Sequence, residues 1–254
     1  IEDKVGTNEH DDQLKRYMEN LPRILEERYK KDPDLVQIIH AYIQTGDQSD
    51  YSTVTASSYC VITRKDILGI LESPSGKLAS QSSEIFRQFT SYLSEMDRQI
   101  NSFTTVPPAK WEWRQMVGFS NAIQEFLKTG NWAYVPNPSG GFMGFWWHTK
   151  KNNGFGVYLQ LEMAPGNVKF CFKIIVDDKE TRGSLRQFWS EKIVTESSKH
   201  GLEVIRPPRF GNGQYMTVAL LKNTFPALNA EGLLDFQETM SLIKKSEALL
   251  DSCL

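Results

Sequence analysis

Cysteine is scarce in this chain, with three residues in 254, at positions 60, 171 and 253. An odd, scattered set with no metal-ligand spacing excludes a disulfide framework and a thiolate zinc site. It reads as free thiols in a reducing compartment, which makes the cytoplasm the expected location. The four histidines (His10, His40, His148, His200) form no His-x-x-x-His pair and have no cysteine partner, so a histidine zinc site is not expected either. No apolar run approaches the roughly 20 residues of a membrane-spanning helix; stretches such as 142–147 are strand-sized. Glycine-rich phosphate cradles of the G-x-G-x-x-G or Walker type are absent, and no serine or cysteine sits in a nucleophile elbow. An initial methionine and a signal peptide are missing too: the chain opens on Ile1-Glu2-Asp3-Lys4-Val5. That opening reads as the end of a strand, so the sequence is expected to be a fragment or a processed chain.

What is present is a globular balance, with 40% hydrophobic and 24% charged residues. At about 150 residues per domain, the length predicts one large or two modest domains. The net charge of -2 is unevenly spread. Residues 1–127 carry 14 basic and 19 acidic side chains, residues 128–209 carry 12 and 7, and the last 45 carry 3 and 5. A basic middle between acidic arms suits an anionic partner, although the bias is modest.

Hydrophobic spacing predicts an α+β chain in three parts. Residues 1–73 read as an α/β region. After the opening strand and a turn at 6–8, a helix is expected from Glu9 to Lys30, with Leu14, Met18, Leu21 and Leu25 on one stripe and Pro22 kinking or breaking it. A buried strand is expected at 35–43 and another at 59–62, and Thr63 with Asp66 predicts a helix start. Residues 73–83, rich in Ser, Gly and Pro, read as a linker. A helical connector over 80–130 follows, its two long helices separated by Pro107-Pro108. From Asn131 the period becomes 2. Strands are expected at 132–135, 141–148, 155–163, 168–176, 202–206 and 214–221, with a tight turn at Pro165-Gly166-Asn167. Helices are expected over 180–199 and 229–250. Residues 131–254 therefore read as an antiparallel sheet with helices over one face.

The sharpest motif stands at the start. Glu2 and Lys4 are two apart on a strand and share a face, whereas Gln13 and Tyr17 are one turn apart on the next helix. A carboxylate beside an ammonium suits metal-assisted phosphodiester hydrolysis. The carboxylate helps hold Mg²⁺, and the lysine orients or polarises the attacking water. The bland reading is a solvated strand pair followed by an ordinary helix surface.

This order of pieces, Ile1-Glu2-Asp3-Lys4-Val5, then Glu9-His10, then Gln13-Leu14-Lys15-Arg16-Tyr17, resembles the PD-(D/E)XK nuclease superfamily. In particular it resembles the "IE-x-K … Q-x-x-x-Y" half-motif of families related to RecB-type exonucleases. It is similar to a bacterial branch in which a long aromatic-rich region follows the nuclease core; residues 140–147 have that character. The motif covers residues 1–17 only. The resemblance implies a restriction-endonuclease-like core, Mg²⁺ as cofactor and DNA as substrate, with Glu2 a metal ligand, Lys4 the catalytic lysine, and Gln13 and Tyr17 the helix residues of the motif. The superfamily's first acid, an aspartate on the preceding strand, has no counterpart here, so the chain is expected to lack part of its active site. Asp3 is a further departure, because that position is commonly apolar or neutral.

Two weaker signals remain. Lys150, Lys151, Lys169 and Lys173 lie near aromatic residues in the basic segment and are candidate phosphate contacts, with Lys169 and Lys173 on the sheet face expected to stay open. Of the neighbours Trp146 and Trp147, one should face away from the core. A protein partner for the third region is the alternative to DNA, within a second overall reading: a non-catalytic binding module. Asp177-x-Lys179 mimics an acid-x-Lys motif, but no Gln-x-x-x-Tyr follows, and capping of the helix near Glu180 is its expected role.

Overall fold

The computed structural model describes residues 2–4, 12–30, 38–137, 140–152 and 154–254, with 2–4, 29 and 152 described in their backbone only. The fold is α+β, and it divides into two compact units, Ile1–Arg98 and Gln99–Leu254. The segment expected as a helical connector is shared between them.

In the first unit, β1 (Glu2–Lys4), β2 (Ala41–Gln44) and β3 (Cys60–Thr63) form a parallel sheet in the order β1-β2-β3. Parallel neighbours need crossovers. These are supplied by α1 (Gln13–Tyr29) between β1 and β2, and by α2 (Ser52–Ala56) between β2 and β3. Helix α1 runs through Pro22 as one element rather than two. It docks at its N-terminal end. Leu14 is buried with Tyr42, Val54 and Tyr59, and the Tyr59 hydroxyl donates to the Leu14 carbonyl at 3.2 Å. The rest of the stripe (Met18, Leu21, Leu25) is half-buried. Strand β2 begins at Ala41, later than expected, after described but unstranded residues 38–40; residues 35–37 lie outside the described ones.

The start of α3 (Arg64–Leu71) is as expected. Thr63 and Asp66 exchange hydrogen bonds as a capping box. Its first residue, Arg64, is buried. Its guanidinium donates to the Thr45 carbonyl at 3.1 Å, to Asp47 at 2.5 Å and to Asp97 at 3.2 Å.

The expected linker at 73–83 is instead a helix, α4 (Pro74–Ser82). Its composition misleads because each small residue has a helical job. The Ser73 hydroxyl accepts from the Gly76 N–H, Pro74 occupies the first turn, and Gly76 lets α4 close on the end of α3. A Cβ at Gly76 would strike the carbonyl groups of Ile70 and Leu71. Helix α5 (Glu84–Asn101) follows, with Leu93, Met96 and Ile100 buried but Phe86 and Phe89 exposed.

The second unit is a six-stranded, wholly antiparallel sheet in the order β4-β5-β6-β7-β9-β8. The strands are β4 (Asn131–Val135), β5 (Phe142–Asn152), β6 (Phe155–Ala164), β7 (Asn167–Val176), β8 (Val204–Ile205) and β9 (Tyr215–Leu221). Ala164 pairs with Asn167 across a two-residue turn whose Gly166 has φ +73°, a backbone setting that favours glycine. One sheet face is apolar. Phe145, Trp147, Leu159, Leu161, Phe170 and Phe172 pack there beneath α6 (Trp113–Leu127), α7 (Arg182–Glu196) and α8 (Phe236–Ser252). Helix α6 starts at a second capping box, between Glu112 and Gln115, downstream of Pro107-Pro108. Helix α8 is shorter than expected. Asp235 caps it, and residues 229–235 form a turn in which the Asn229 side chain accepts from the Glu231 and Leu233 N–H groups.

Strand β5 carries a bulge. Trp147 pairs with Leu159 but Lys150 pairs with Val157, so two residues of β5 face one of β6, and His148 takes a left-handed backbone at φ +55°. As expected of neighbours, Trp147 is buried and Trp146 half-buried on the opposite face.

Candidate functional site

The carboxyl ends of parallel strands are where open α/β sheets present groups to ligands. In the first unit that edge is a row of three residues in register: Lys4 ends β1, Gln44 ends β2 and Thr63 ends β3. Glu2 pairs with Tyr42 one step back. The backbone thus puts the Glu-x-Lys strand at one side of a parallel sheet; the side chains of Glu2 and Lys4 lie outside the described residues. Glu9 and His10 do as well.

Helix α1 opens on the second half of the motif. Gln13 Nε2 donates to the Tyr17 hydroxyl at 2.7 Å, the contact expected of residues four apart. Gln13 is half-buried and Tyr17 exposed. The pair is therefore preorganised and presents a phenol to solvent.

Gln44 was not marked by the sequence reading. It sits at the junction of an apolar run and a polar loop, where a glutamine reads as loop. It is 1% exposed, and its Oε1 accepts no hydrogen bond from the described residues. An unsatisfied buried acceptor costs about 1–3 kcal/mol, so this atom marks the sheet edge as a place of interest. Its flanking partner on β3, Thr63, already donates its hydroxyl to Asp66 at 2.6 Å.

The lysines of the second unit fare differently from one another. Lys173 is buried and pairs with Glu162 at 2.8 Å. By register Glu162 lies opposite Lys169, so the Lys173 stem crosses the Cys171–Gln160 pair to reach it. Cys171 is buried as well, so the face expected to be open is closed at both residues. Lys150 pairs with Asp251 at 3.2 Å. Lys151 and Lys169 are exposed.

The Asp177-x-Lys179 mimic is occupied by turn chemistry. Asp178 accepts the Glu180 N–H at 3.0 Å, and Asp177 accepts from Gln214 at 2.5 Å. Helix α7 begins later, after Thr181, so Asp178 closes a turn rather than capping the helix.

The β5 bulge organises a further polar cluster. Trp147 Nε1 donates to Glu247 at 3.0 Å and His148 Nε2 to Asp251 at 2.9 Å, both acceptors on α8. Burial pushes the Asp251 carboxyl up, but hydrogen bonds from His148 and Lys150 outweigh it and hold the group below its ordinary value. A depressed carboxyl contributes stability that is fully present above the unfolded value of about 4 and is lost as pH falls through the folded value. Asp251→Asn is therefore expected to flatten the acid limb of the stability profile below about pH 4. Urea denaturation at pH 7 and pH 3 checks this; an unchanged difference between the two pH values would refute it.

Thiol chemistry is disfavoured. Burial, and then the Glu162 charge, push Cys171 up to about 12, burial also raises Cys253, and only Cys60 is exposed. A thiol reagent is expected to titrate one cysteine in the native chain and three after unfolding.

Among the described residues, no group of three or more His, Cys, Asp or Glu side chains is placed to hold a metal, and no helix is long and apolar enough to cross a membrane. Comparison with family models, with curated proteins and with solved structures gives no match for this chain.

Proposed function

We propose that this chain carries the Glu-x-Lys half of a Mg²⁺-dependent, cytoplasmic DNA nuclease of the PD-(D/E)XK type, which hydrolyses phosphodiester bonds. The observation that carries the reading is the element order: Glu2-x-Lys4 on a strand at the edge of a parallel sheet, followed by a helix that opens on the hydrogen-bonded Gln13–Tyr17 pair. A strand carrying the acid and the lysine, then a helix opening on the glutamine and tyrosine, is the order the half-motif has.

Oxygen donors suit a hard cation, and Glu2 supplies one carboxylate. Among the described residues no acid cluster accompanies it, and the resemblance calls for a second acid, an aspartate, beside Glu2. Bound Mg²⁺ would supply Lewis-acid stabilisation of the phosphoryl oxygens. Lys4 would place its ammonium where negative charge develops during water attack. Tyr17, held by Gln13, would donate its hydroxyl to a backbone phosphate. The second unit, with exposed Lys151 and Lys169, would contact DNA away from the reacting bond.

The test is cleavage of plasmid and linear DNA, with and without Mg²⁺, by this chain joined to whatever its gene encodes ahead of Ile1. Cleavage intact in both Glu2→Ala and Lys4→Ala would overturn the reading. An aspartate near the end of a strand encoded upstream would support it. The second reading, a non-catalytic binding module, is favoured by the excess of basic over acidic residues in 128–209. It predicts salt-dependent DNA binding without cleavage.

A further inference from the structure

We infer that the loop joining β8 to β9 is a contact for duplex DNA, with Arg206 and Arg209 each meeting a phosphate of its backbone. This deepens the DNA-binding part of the reading above and does not depend on cleavage.

The first support is the contrast between paired and unpaired arginines. Arg23, Arg64, Arg87 and Arg98 each hold a carboxylate. Arg206 and Arg209 are exposed, and neither has a carboxylate or a hydrogen-bond acceptor among the described residues. Residues 204–221 contain no Asp or Glu. The acids of the neighbouring turn are engaged already, Asp177 by Gln214 and Asp178 by the Glu180 N–H. Two guanidinium groups without a competing acid are left available to an anion from outside.

The second support is that the loop is held in place. Arg186, on α7, donates to the Gly211 carbonyl and, at 3.2 Å, to the Asn212 side chain. Pro207 is buried, and the prolines at 207 and 208 each fix a backbone φ. The Arg186 and Arg206 guanidinium groups lie over the Phe210 ring, 4.8 and 4.4 Å from its centre. A guanidinium stacked on a ring keeps its N–H edge free for an oxygen acceptor. The loop therefore has less conformational freedom to lose on binding.

The chemistry then selects the partner. The guanidinium fork matches the paired oxygens of a phosphate. Duplex DNA carries one such charge per roughly 1.7 Å of axis, so two side chains on one short loop can each find one. Single strands are gripped largely by rings that stack on bases, and Phe210, the only ring of the loop, already carries two guanidinium groups.

The test is a fluorescence-anisotropy titration of a labelled duplex of about 20 base pairs, without Mg²⁺ and over a series of KCl concentrations, with the chain used for the cleavage assay. Arg206→Ala/Arg209→Ala is expected to weaken binding about 10- to 100-fold at about 0.1 M salt, and to reduce the slope of log affinity against log salt by about 2. Arg206→Lys/Arg209→Lys keeps both charges and is expected to keep the slope. Arg87→Ala/Arg98→Ala removes the same charge from paired arginines of the first unit and is expected to stay within about threefold of the parent. Equal losses in the two alanine doubles would reduce the effect to net charge and overturn the inference. So would a lysine double that loses the slope, a parent that binds no duplex, or a parent that binds one strand of it more tightly. A chain that binds through these arginines but cleaves nothing would sink the nuclease reading alone.

Discussion

If the proposed nuclease reading holds, Lys4→Ala is expected to cut Mg²⁺-dependent DNA cleavage by about 10²–10³-fold, close to 3–4 kcal/mol of transition-state stabilisation. The loss should fall on kcat, because the ammonium meets charge that exists fully only as the phosphorane-like state forms. Folding should be spared. β1 joins its sheet through parallel backbone pairing of Glu2–Lys4 with Tyr42–Gln44, and alanine keeps every one of those backbone groups. On the same proposal Glu2→Ala should be at least as damaging and should also shift the Mg²⁺ requirement to higher concentration, since the proposed metal ligand is removed. The informative comparison is a thermal melt beside the cleavage assay. Equal melting with unequal cleavage assigns the effect to chemistry, whereas a parallel fall in both would mean that β1 is only scaffold.

Arg64→Ala is expected to destabilise the first unit by about 3 kcal/mol, toward the lower end of the cost of breaking a buried ion network. The guanidinium is 3% exposed, and its partners Asp47 and Asp97 are 18% and 29% exposed. Removing the cation leaves two carboxylates facing a vacated site, together with the Thr45 carbonyl that it satisfied. Partial water access to both acids keeps the cost from reaching the top of the range. Arg64→Lys should recover only part of it, because one ammonium cannot reproduce the fork that serves three acceptors. Hydrogen exchange of residues 38–98 reads the effect directly. Protection unchanged in Arg64→Ala would show that the network is incidental.

The sheet of the second unit was legible because its strands alternate cleanly. Val168, Phe170, Phe172, Ile174 and Val176 are an apolar series on one face of β7, and period-2 patterning is the strongest strand signal a single sequence carries. The capping box at Thr63 and Asp66 was legible for a similar reason: its chemistry is local. The errors came where composition stands in for geometry. Ser73-Pro74-Ser75-Gly76 has the makeup of a linker and the positions of a helix start. Lys173 has the makeup of a phosphate contact, but its ammonium is already taken by a glutamate four ladder pairs away. Gln44 could not be found from spacing, because what marks it is a missing partner, and that is visible only once neighbours are placed.

The bulge in β5 bears on how this chain can change length. Strand β5 spends two residues, His148 and Thr149, where β6 spends one, Tyr158. Deleting Thr149 would therefore leave Trp147 opposite Leu159 and Lys150 opposite Val157, with no residue after it changing face. The ladder would close up, the backbone at 148 would relax from its left-handed setting, and the histidine would lose its approach to Asp251 and Glu247. A one-residue gap at this point is an indel that strand β5 can absorb. Gaps elsewhere in the strand would turn its apolar side chains out to water.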